Sequence, residues 1–441
     1  MAEYNKPTTL QEVEQNFGQI KPDMNATMAY NESSRCLFCF DAPCVQACPT
    51  GIDIPLFIRQ IYTDNVTGSA KTIYDSNYFG NICGKVCPTE VLCEGACVYN
   101  HQDAEPIEIG RLQSFATKAA IKDNKQLFTP AADNGKKVAI VGAGPAGIAC
   151  ACELRLLGYT VHIWEAKAHA SGLTIYGVAP YKITNQEALD EVAYLQKQFG
   201  FEIHYNKKVE ADEHFQMLKA DYDAVFLGVG LGDTRSLGLD GENLENCIGA
   251  TEFIEEFKMD PLGTHTGNRV VVIGGGNTAM DAASESARMG AEQVYLAYRR
   301  SKESMGAYEF EYDLAKGVGV KGLFNASPVA VLGTDKVEGM RFIRTEVQDG
   351  KLVSIEGSEF DIACDMVIKA TGQEKQAAFV KKFGAIDTDN KGRIVVNESF
   401  QTTEPRVFAA GDAVNGGAEV VNATAEAKKA AQGIHQWLSK A

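Results

Sequence analysis

Eight of the twelve cysteines fall between Cys36 and Cys97, and a segment built this way has to fold around whatever the thiols hold. The first group reads Cys36-x2-Cys39-x4-Cys44-x3-Cys48-Pro49, the second Cys83-x3-Cys87-Pro88-x4-Cys93-x3-Cys97. The N-terminal residues Met-Ala-Glu-Tyr-Asn-Lys form neither a basic n-region nor an apolar h-region, so a cytoplasmic chain is expected. In that compartment clustered cysteines bind metal rather than pair as disulfides. Four soft thiolates converging on one centre suit a 4Fe–4S cubane, and eight match two such clusters by count. Structural zinc competes, but it favours paired Cys-x2-Cys knuckles, and only one such pair is present. In two-cluster ferredoxins the Cys before Pro ligates the other cluster, so Cys48 is expected to cross over to a centre built mainly from the second group. Cys150, Cys152, Cys247 and Cys364 are scattered and read as small buried hydrophobes.

At 441 residues the chain has room for about three domains. Its 45% hydrophobic and 23% charged residues exclude disordered, collagen-like and coiled-coil classes. A net charge of −16 argues against nucleic acid or an anionic membrane surface as a partner. The longest apolar run, Val138 to Cys152, is broken by Gly and Pro and reads as strand, turn and helix rather than a membrane span.

Residues 1 to about 125 read as helical, with candidate helices at 10–19, 53–62, 69–76 and 106–121, the last opening on Pro106. A polar stretch from Thr129 to Gly135 marks a boundary. Beyond it strands alternate with helices, which predicts parallel sheets. Strand 137–141 runs into Gly142-Ala143-Gly144-Pro145-Ala146-Gly147 and a helix; strand 269–273 runs into Gly274-Gly275-Gly276-Asn277-Thr278-Ala279 and a helix. Each unit later reaches a strand ending at Gly, 223–228 and 365–372, and a last strand, 407–410, leads into Gly411-Asp412 and a closing helix over 423–438. The expected fold is α/β: an N-terminal α-helical iron–sulfur domain over 1–129, then two nested Rossmann-like dinucleotide-binding domains. The outer one takes 130–232 and 373–441, the inner one 233–372.

Gly142, Gly144 and Gly147 fit the tight turn, the close approach to a pyrophosphate and the helix–strand packing of a dinucleotide site, with Pro145 opening the helix. Glu165, after strand 160–164, stands where an acid accepts ribose hydroxyls. In the second unit Gly274, Gly275, Gly276, Asn277, Thr278 and Ala279 form the corresponding turn, with Ala370, Thr371 and Gly372 at the end of the later strand. There the ribose position holds Tyr298-Arg299-Arg300. An acid would repel a 2′-phosphate, whereas Arg pairs with it bidentately, which favours NADPH over NADH; two solvated surface arginines are the plainer alternative. The outer domain reads as the flavin domain, with Gly411 and Asp412 suited to the ribityl–phosphate arm. A hydride carries two electrons and each cluster accepts one, so a flavin between them is the natural converter.

With those residues in place the chain resembles, over essentially its whole length, the small subunit of bacterial glutamate synthase, and still more the N-terminal half of dihydropyrimidine dehydrogenase. The resemblance rests on Arg35-Cys36-Leu37-Phe38-Cys39-Phe40-Asp41-Ala42-Pro43-Cys44, on Ile82-Cys83-Gly84-Lys85-Val86-Cys87-Pro88-Thr89, and on Pro106-Ile107-Glu108-Ile109-Gly110-Arg111-Leu112-Gln113. It implies that Cys36, Cys39, Cys44 and Cys97 hold one cluster, and Cys48, Cys87, Cys93 and Gln113 the other. Gln113 is then an amide ligand and Cys83 a spare, where the count alone gives Cys83 as the eighth ligand. It also implies flavin contacts at Gly172, Leu173 and Lys182. Here the chain departs from the family: Ser171-Gly172 stands for Gly-Gly, and Lys182 for an Arg, keeping charge but losing the fork. A third basic residue that some relatives place after the arginine pair is replaced near Gly306.

The resemblance implies an NAD(P)H-oxidising electron-input subunit. Electrons would pass through FAD and two 4Fe–4S clusters to an FMN-containing partner subunit that reduces uracil or thymine. Hydride transfer needs no side-chain acid or base, so no catalytic residue is expected. No (β/α) repeat able to hold a pyrimidine site follows the flavin segment, so substrate reduction is expected on another polypeptide. Three alternatives stand beside this: the same half-reaction serving a glutamate synthase large subunit, a disulfide reductase, and a non-enzymatic iron–sulfur sensor or scaffold. The disulfide reductase would need a redox Cys-x2-Cys beside the flavin, and the nearby pair is Cys150-Ala151-Cys152.

Overall fold

The computed structural model describes residues 4–102 and 104–440. The first three residues of the N-terminal segment read above, Asp103, and Ala441 at the end of the last domain segment lie outside the described residues. Contacts divide the chain into two compact units. One comprises the residues through Gln19 together with 176–181 and 232–374; the other comprises 20–175, 182–231 and 375 onward.

In the larger unit, residues 20–136 form no strand among the described residues. Helix Ile54–Tyr62 starts where the Asp53 carboxylate accepts the Leu56 N–H at 3.1 Å, and it buries Ile54, Phe57, Ile58 and Ile61 on one stripe. Helix Val66–Ser76 starts three residues earlier than its composition suggests, because Asn65 caps it by accepting the Gly68 N–H. The helix expected to open on Pro106 instead spans Ile109–Lys122. The Glu108 N–H donates to the Glu32 carboxylate at 2.9 Å, which holds the preceding turn outside the helix while Ile107 and Ile109 enter the core. That core joins Ile52, Phe57, Ile73, Leu112 and Ala116, and the half-buried thiols of Cys36, Cys44, Cys48 and Cys93 pack against it.

The same unit carries a five-stranded parallel sheet in the order Val407–Ala409, Ala224–Leu227, Lys137–Val141, Thr160–Trp164, Glu202–His204. The smaller unit carries another, in the order Cys247–Gly249, Met366–Lys369, Arg269–Ile273, Gln293–Tyr298, Lys321–Phe324. Beside it lies a three-stranded antiparallel sheet of Ala326–Leu332, Gly339–Gln348 and Lys351–Ala363. Both parallel sheets are buried on two faces in their central strands, which is why those strands read as unbroken Val/Ile runs. In each, strand order reverses beside the first strand of the sheet's Gly-rich turn. Ligands of open α/β sheets bind in the crevice at that reversal.

Candidate functional site

In the larger unit the reversal lies between Lys137–Val141 and Ala224–Leu227, and glycines converge there. Gly142 has φ +99, and a Cβ on it would stand 2.5 Å from the Gly228 carbonyl oxygen. A Cβ on Gly147 would stand 1.9 Å from the Gly142 carbonyl oxygen. Gly144 is the N-cap of helix Pro145–Leu156, Pro145 takes its first position, and Gly172 lies against Gly144, with its added Cβ 3.1 Å from the Gly144 Cα. Glu165 faces this turn: one carboxylate oxygen accepts the Ala143 N–H at 2.7 Å, the other the Lys167 N–H at 2.8 Å. Gly411, at φ +76, packs on Ala146 and donates its N–H to Glu426 at 2.8 Å; burial pushes the Asp412 carboxyl up. Residues far apart in sequence thus line one crevice whose helix N-terminus offers free amides and positive dipole to an anion.

Ser171 holds φ +86, a conformation that costs a non-glycine residue about 1–3 kcal/mol. Its N–H donates to the Ala143 carbonyl at 2.7 Å and its hydroxyl meets that of Thr174. Those contacts hold Ser171 in a conformation for which the resemblance implies glycine. Leu173 opens a short helix and is 38% exposed, while Lys182 is buried.

In the smaller unit Gly274, at φ +158, abuts the Ala370 carbonyl, whose oxygen lies 2.4 Å from an added Cβ. The Ala370 N–H donates to Ile273 at 2.8 Å, so Ala370, Thr371 and Gly372 stand beside the turn. The Tyr298 ring covers Gly275, whereas an added Cβ on Gly276 meets nothing within 4 Å, and Asn277 opens helix Asn277–Arg288 with Thr278 and a fully buried Ala279 behind it. The segment after the arginine pair folds back over the turn: the Ala307 N–H donates to the Gly275 carbonyl at 2.9 Å and the Tyr308 N–H to Asn277 Oδ1 at 3.1 Å. Arg299 and Arg300 are exposed. Their carbonyls accept from Thr345 Oγ1 at 2.7 Å and the Asn325 N–H at 3.0 Å, so the backbone is pinned while the guanidinium groups reach outward.

The helical region of the larger unit holds two cavities. Cys36, Cys39, Cys44 and Cys97 line the first, with Ile54, Ile58 and Ile107 around them. Cys48, Cys83, Cys87, Cys93 and Gln113 line the second, beside Thr89 and Gly110. All eight cysteines of the cluster are free thiols. Among the described residues no three His, Cys, Asp or Glu side chains are grouped to hold a single ion. Each set of thiols lines a single cavity, and soft thiolates are the ligands that iron–sulfur clusters take. Burial pushes Cys44 up to about 12 and Cys93 well up; Cys87 is pushed up first by its hydrogen bond with Cys83, then by burial. Such thiols ionise when metal displaces their protons. Gln113 donates from Nε2 to the Gly80 carbonyl at 2.7 Å, which leaves its amide oxygen as the atom with lone pairs to offer. The residues lining each cavity fit an iron–sulfur cluster.

One side chain of this region escaped the sequence reading. Glu191 is completely buried, and its carboxylate accepts the N–H groups of Asn81 (2.7 Å) and Ile82 (2.8 Å) and the Tyr74 hydroxyl (2.8 Å). It thereby anchors the start of helix Gly80–Val86, which carries Cys83; burial pushes the carboxyl up to about 7. A lone Glu in a helical stretch carries no signal that would have found it. Cys150 and Cys152 are completely buried in helix Pro145–Leu156 with their thiols pushed well up by burial, so they are packing residues and not a redox pair.

Two dinucleotide crevices and two thiol-lined cavities define the chain as an NAD(P)H-dependent flavin and iron–sulfur oxidoreductase. Residues 13–125 match the family described as dihydropyrimidine dehydrogenase domain II, 4Fe-4S cluster, and residues 136–427 that of pyridine nucleotide-disulphide oxidoreductases. The chain is 36% identical to the NAD-dependent dihydropyrimidine dehydrogenase subunit PreT of Escherichia coli K12, covering 97% of this chain and 99% of that one. It is 33% identical to the glutamate synthase [NADPH] small chain of the same organism, covering 98% and 96%. Mycobacterium tuberculosis FprA in complex with NADPH shares the fold at TM-score 0.59 and 20% identity, over 69% of this chain and 85% of that one. Thioredoxin reductase of T. acidophilum does so at 0.53 and 23%, over 69% and 100%. The chain belongs to the family of flavin and iron–sulfur oxidoreductases that unites dihydropyrimidine dehydrogenase subunits with glutamate synthase small chains. Its cofactors are FAD, iron–sulfur clusters and NAD(P)H. Among the described residues no helix is long and apolar enough to cross a membrane.

Proposed function

We propose that this chain is the electron-input subunit of a hetero-oligomeric dihydropyrimidine dehydrogenase, oxidising NADPH on behalf of an FMN-containing partner that reduces uracil or thymine. In this reading residues 1–129 form the cluster domain, 130–232 and 373–441 the FAD domain, and 233–372 the nicotinamide domain. Bound FAD supplies the conversion of a hydride's electron pair into single electrons, and the clusters supply the one-electron exit. Gly142, Gly144 and Gly147 admit the FAD pyrophosphate to the helix N-terminus, Glu165 accepts from the ribose, and Gly172, Leu173, Lys182, Gly411 and Asp412 line the rest of its cradle. Gly274 to Ala279 and Ala370 to Gly372 seat the nicotinamide nucleotide. Cys36, Cys39, Cys44 and Cys97 hold one cluster, and Cys48, Cys87, Cys93 and Gln113 the other.

The observation that carries this reading is that both thiol-lined cavities occur in the same compact unit as the Gly142–Gly147 turn. A dinucleotide fold alone has no use for eight clustered thiols. The test is the native complex, isolated anaerobically. We expect a second polypeptide carrying FMN and NADPH-dependent reduction of uracil by the complex, while the isolated chain reduces only artificial acceptors. Uracil reduction at full rate by the chain alone, or a glutamate-forming large subunit in the complex, would overturn it.

Arg299 and Arg300 are the proposed 2′-phosphate readers. A charge-assisted hydrogen bond contributes about 1.5–3 kcal/mol, and every 1.4 kcal/mol is about tenfold in affinity. The double variant Arg299→Ala/Arg300→Ala is therefore expected to raise KM for NADPH at least about tenfold and leave KM for NADH nearly unchanged. Equal losses with both nucleotides would mean that the pair is a solvated surface feature.

A further inference from the structure

Lys21 occupies an unusual place beside the second cavity. Its side chain is only 12% exposed, and its Nζ donates to the Cys87 carbonyl at 2.9 Å and to Thr89 Oγ1 at 2.8 Å. Cys87 and Thr89 both line that cavity. The groups facing the ammonium are few. Glu90, 41% exposed, is 3.9 Å away. The Glu94 carboxyl accepts the Gly110 N–H at 2.8 Å and is pushed up by burial. The charge of Lys21 also acts on the thiols of Cys87 and Cys93. At the first cavity Arg59, which acts on Cys36, is exposed, its guanidinium 4.8 Å over the Phe38 ring, and Arg35, which acts on Cys97, is 38% exposed and paired with Glu32 at 2.7 Å.

We propose that Lys21 is a redox-tuning residue, a largely buried cation that stabilises the reduced state of the cluster held by Cys48, Cys87 and Cys93 and so raises its potential. The inference rests on the reading of those cysteines as ligands and adds to it a residue that binds no iron. Reduction adds one electron and no proton to a thiolate-ligated cage, making it one charge more negative. A cation held in a low-dielectric surrounding favours that state far more than a solvated one. Cluster potentials follow net charge, hydrogen bonding and exposure. Lys21 changes the first two: it supplies a positive charge, and it fixes the peptide that follows Cys87.

A purely structural role also exists, since Cys87 caps helix Gly80–Val86 and a cation at a helix C-terminus satisfies a free carbonyl. The experiment separates the two. Full-length chain is prepared anaerobically as wild type, Lys21→Met and Lys21→Arg. Iron and acid-labile sulfide are measured first, and both clusters are then titrated by EPR against potential. Signals are assigned with a Cys44→Ala variant. Lys21→Met is expected to weaken electron uptake by the second cluster at least tenfold, a shift of about 59 mV to lower potential for one electron. Lys21→Arg should hold the wild-type value, and the first cluster should not move in either variant. If Lys21→Met loads poorly, Lys21→Gln, which keeps a donor for the Cys87 carbonyl without the charge, carries the same expectation. A fully loaded neutral variant with an unchanged second-cluster potential, or equal shifts of both clusters, overturns the proposal. Wild-type protein without acid-labile sulfide would sink the ligand reading instead.

Discussion

A Gly147→Ala variant is expected to be purified colourless, without bound flavin. The added methyl carbon would lie 1.9 Å from the Gly142 carbonyl oxygen, 3.1 Å from its carbon and 3.2 Å from Ile140 Cγ2. Two of those three neighbours are backbone atoms of the turn itself, so no side chain can rotate away to relieve the contact. Helix Pro145–Leu156 has to move off the sheet or the Gly142 turn has to open, and either displaces the amides proposed to face the pyrophosphate. The helix is otherwise well held, with Ile148, Ala149, Cys150, Ala151, Cys152 and Leu154 all buried, so far-ultraviolet dichroism should stay close to wild type while visible flavin absorbance disappears. A yellow Gly147→Ala protein with a normal flavin-to-protein ratio would remove the flavin assignment from this crevice.

Replacing Cys44 with Ala should cost the chain about half of its iron and acid-labile sulfide. Cys44 lines the first cavity and not the second, and packs against the helical core. Three thiolates on a cubane leave one iron open to solvent and oxygen. The two cavities have separate thiol linings, so the second cluster should remain. NADPH should still bleach the flavin in this variant, because the Gly142 and Gly274 turns carry none of the change. Delivery of electrons to a protein acceptor should fall by two orders of magnitude or more. Retention of the full iron content would exclude Cys44 as a ligand.

The strand–glycine-turn–helix units were legible because each is local. Lys137–Val141, Thr160–Trp164 and Arg269–Ile273 have the expected bounds, since a buried parallel strand bounded by glycine is written in consecutive residues. Glu165 and the Arg299–Arg300 pair were singled out the same way, by counting on from a turn to the end of the next strand. Helix ends were less legible. Pro106 looked like a first helical residue, yet helix Ile109–Lys122 begins three residues later, because Glu32, far back in the chain, takes the Glu108 N–H. Ser171 read as a departure from the resemblance; the left-handed conformation is kept there by its bonds to Ala143 and Thr174.

From the residues alone came the alternation of elements, the two Gly-rich turns and the grouping of the thiols, because each depends on spacing along a short stretch. Only the tertiary structure decided which of these residues share a cavity, that Gly411 closes on Ala146, that Glu191 holds the helix carrying Cys83, and that Lys21 reaches the Cys87 carbonyl. These partners are separated by tens to hundreds of residues, and a single Glu or Lys in a sequence looks like any solvated charge. Its role appears once burial removes water and leaves it one set of partners, since an unpaired charge there is too costly to persist.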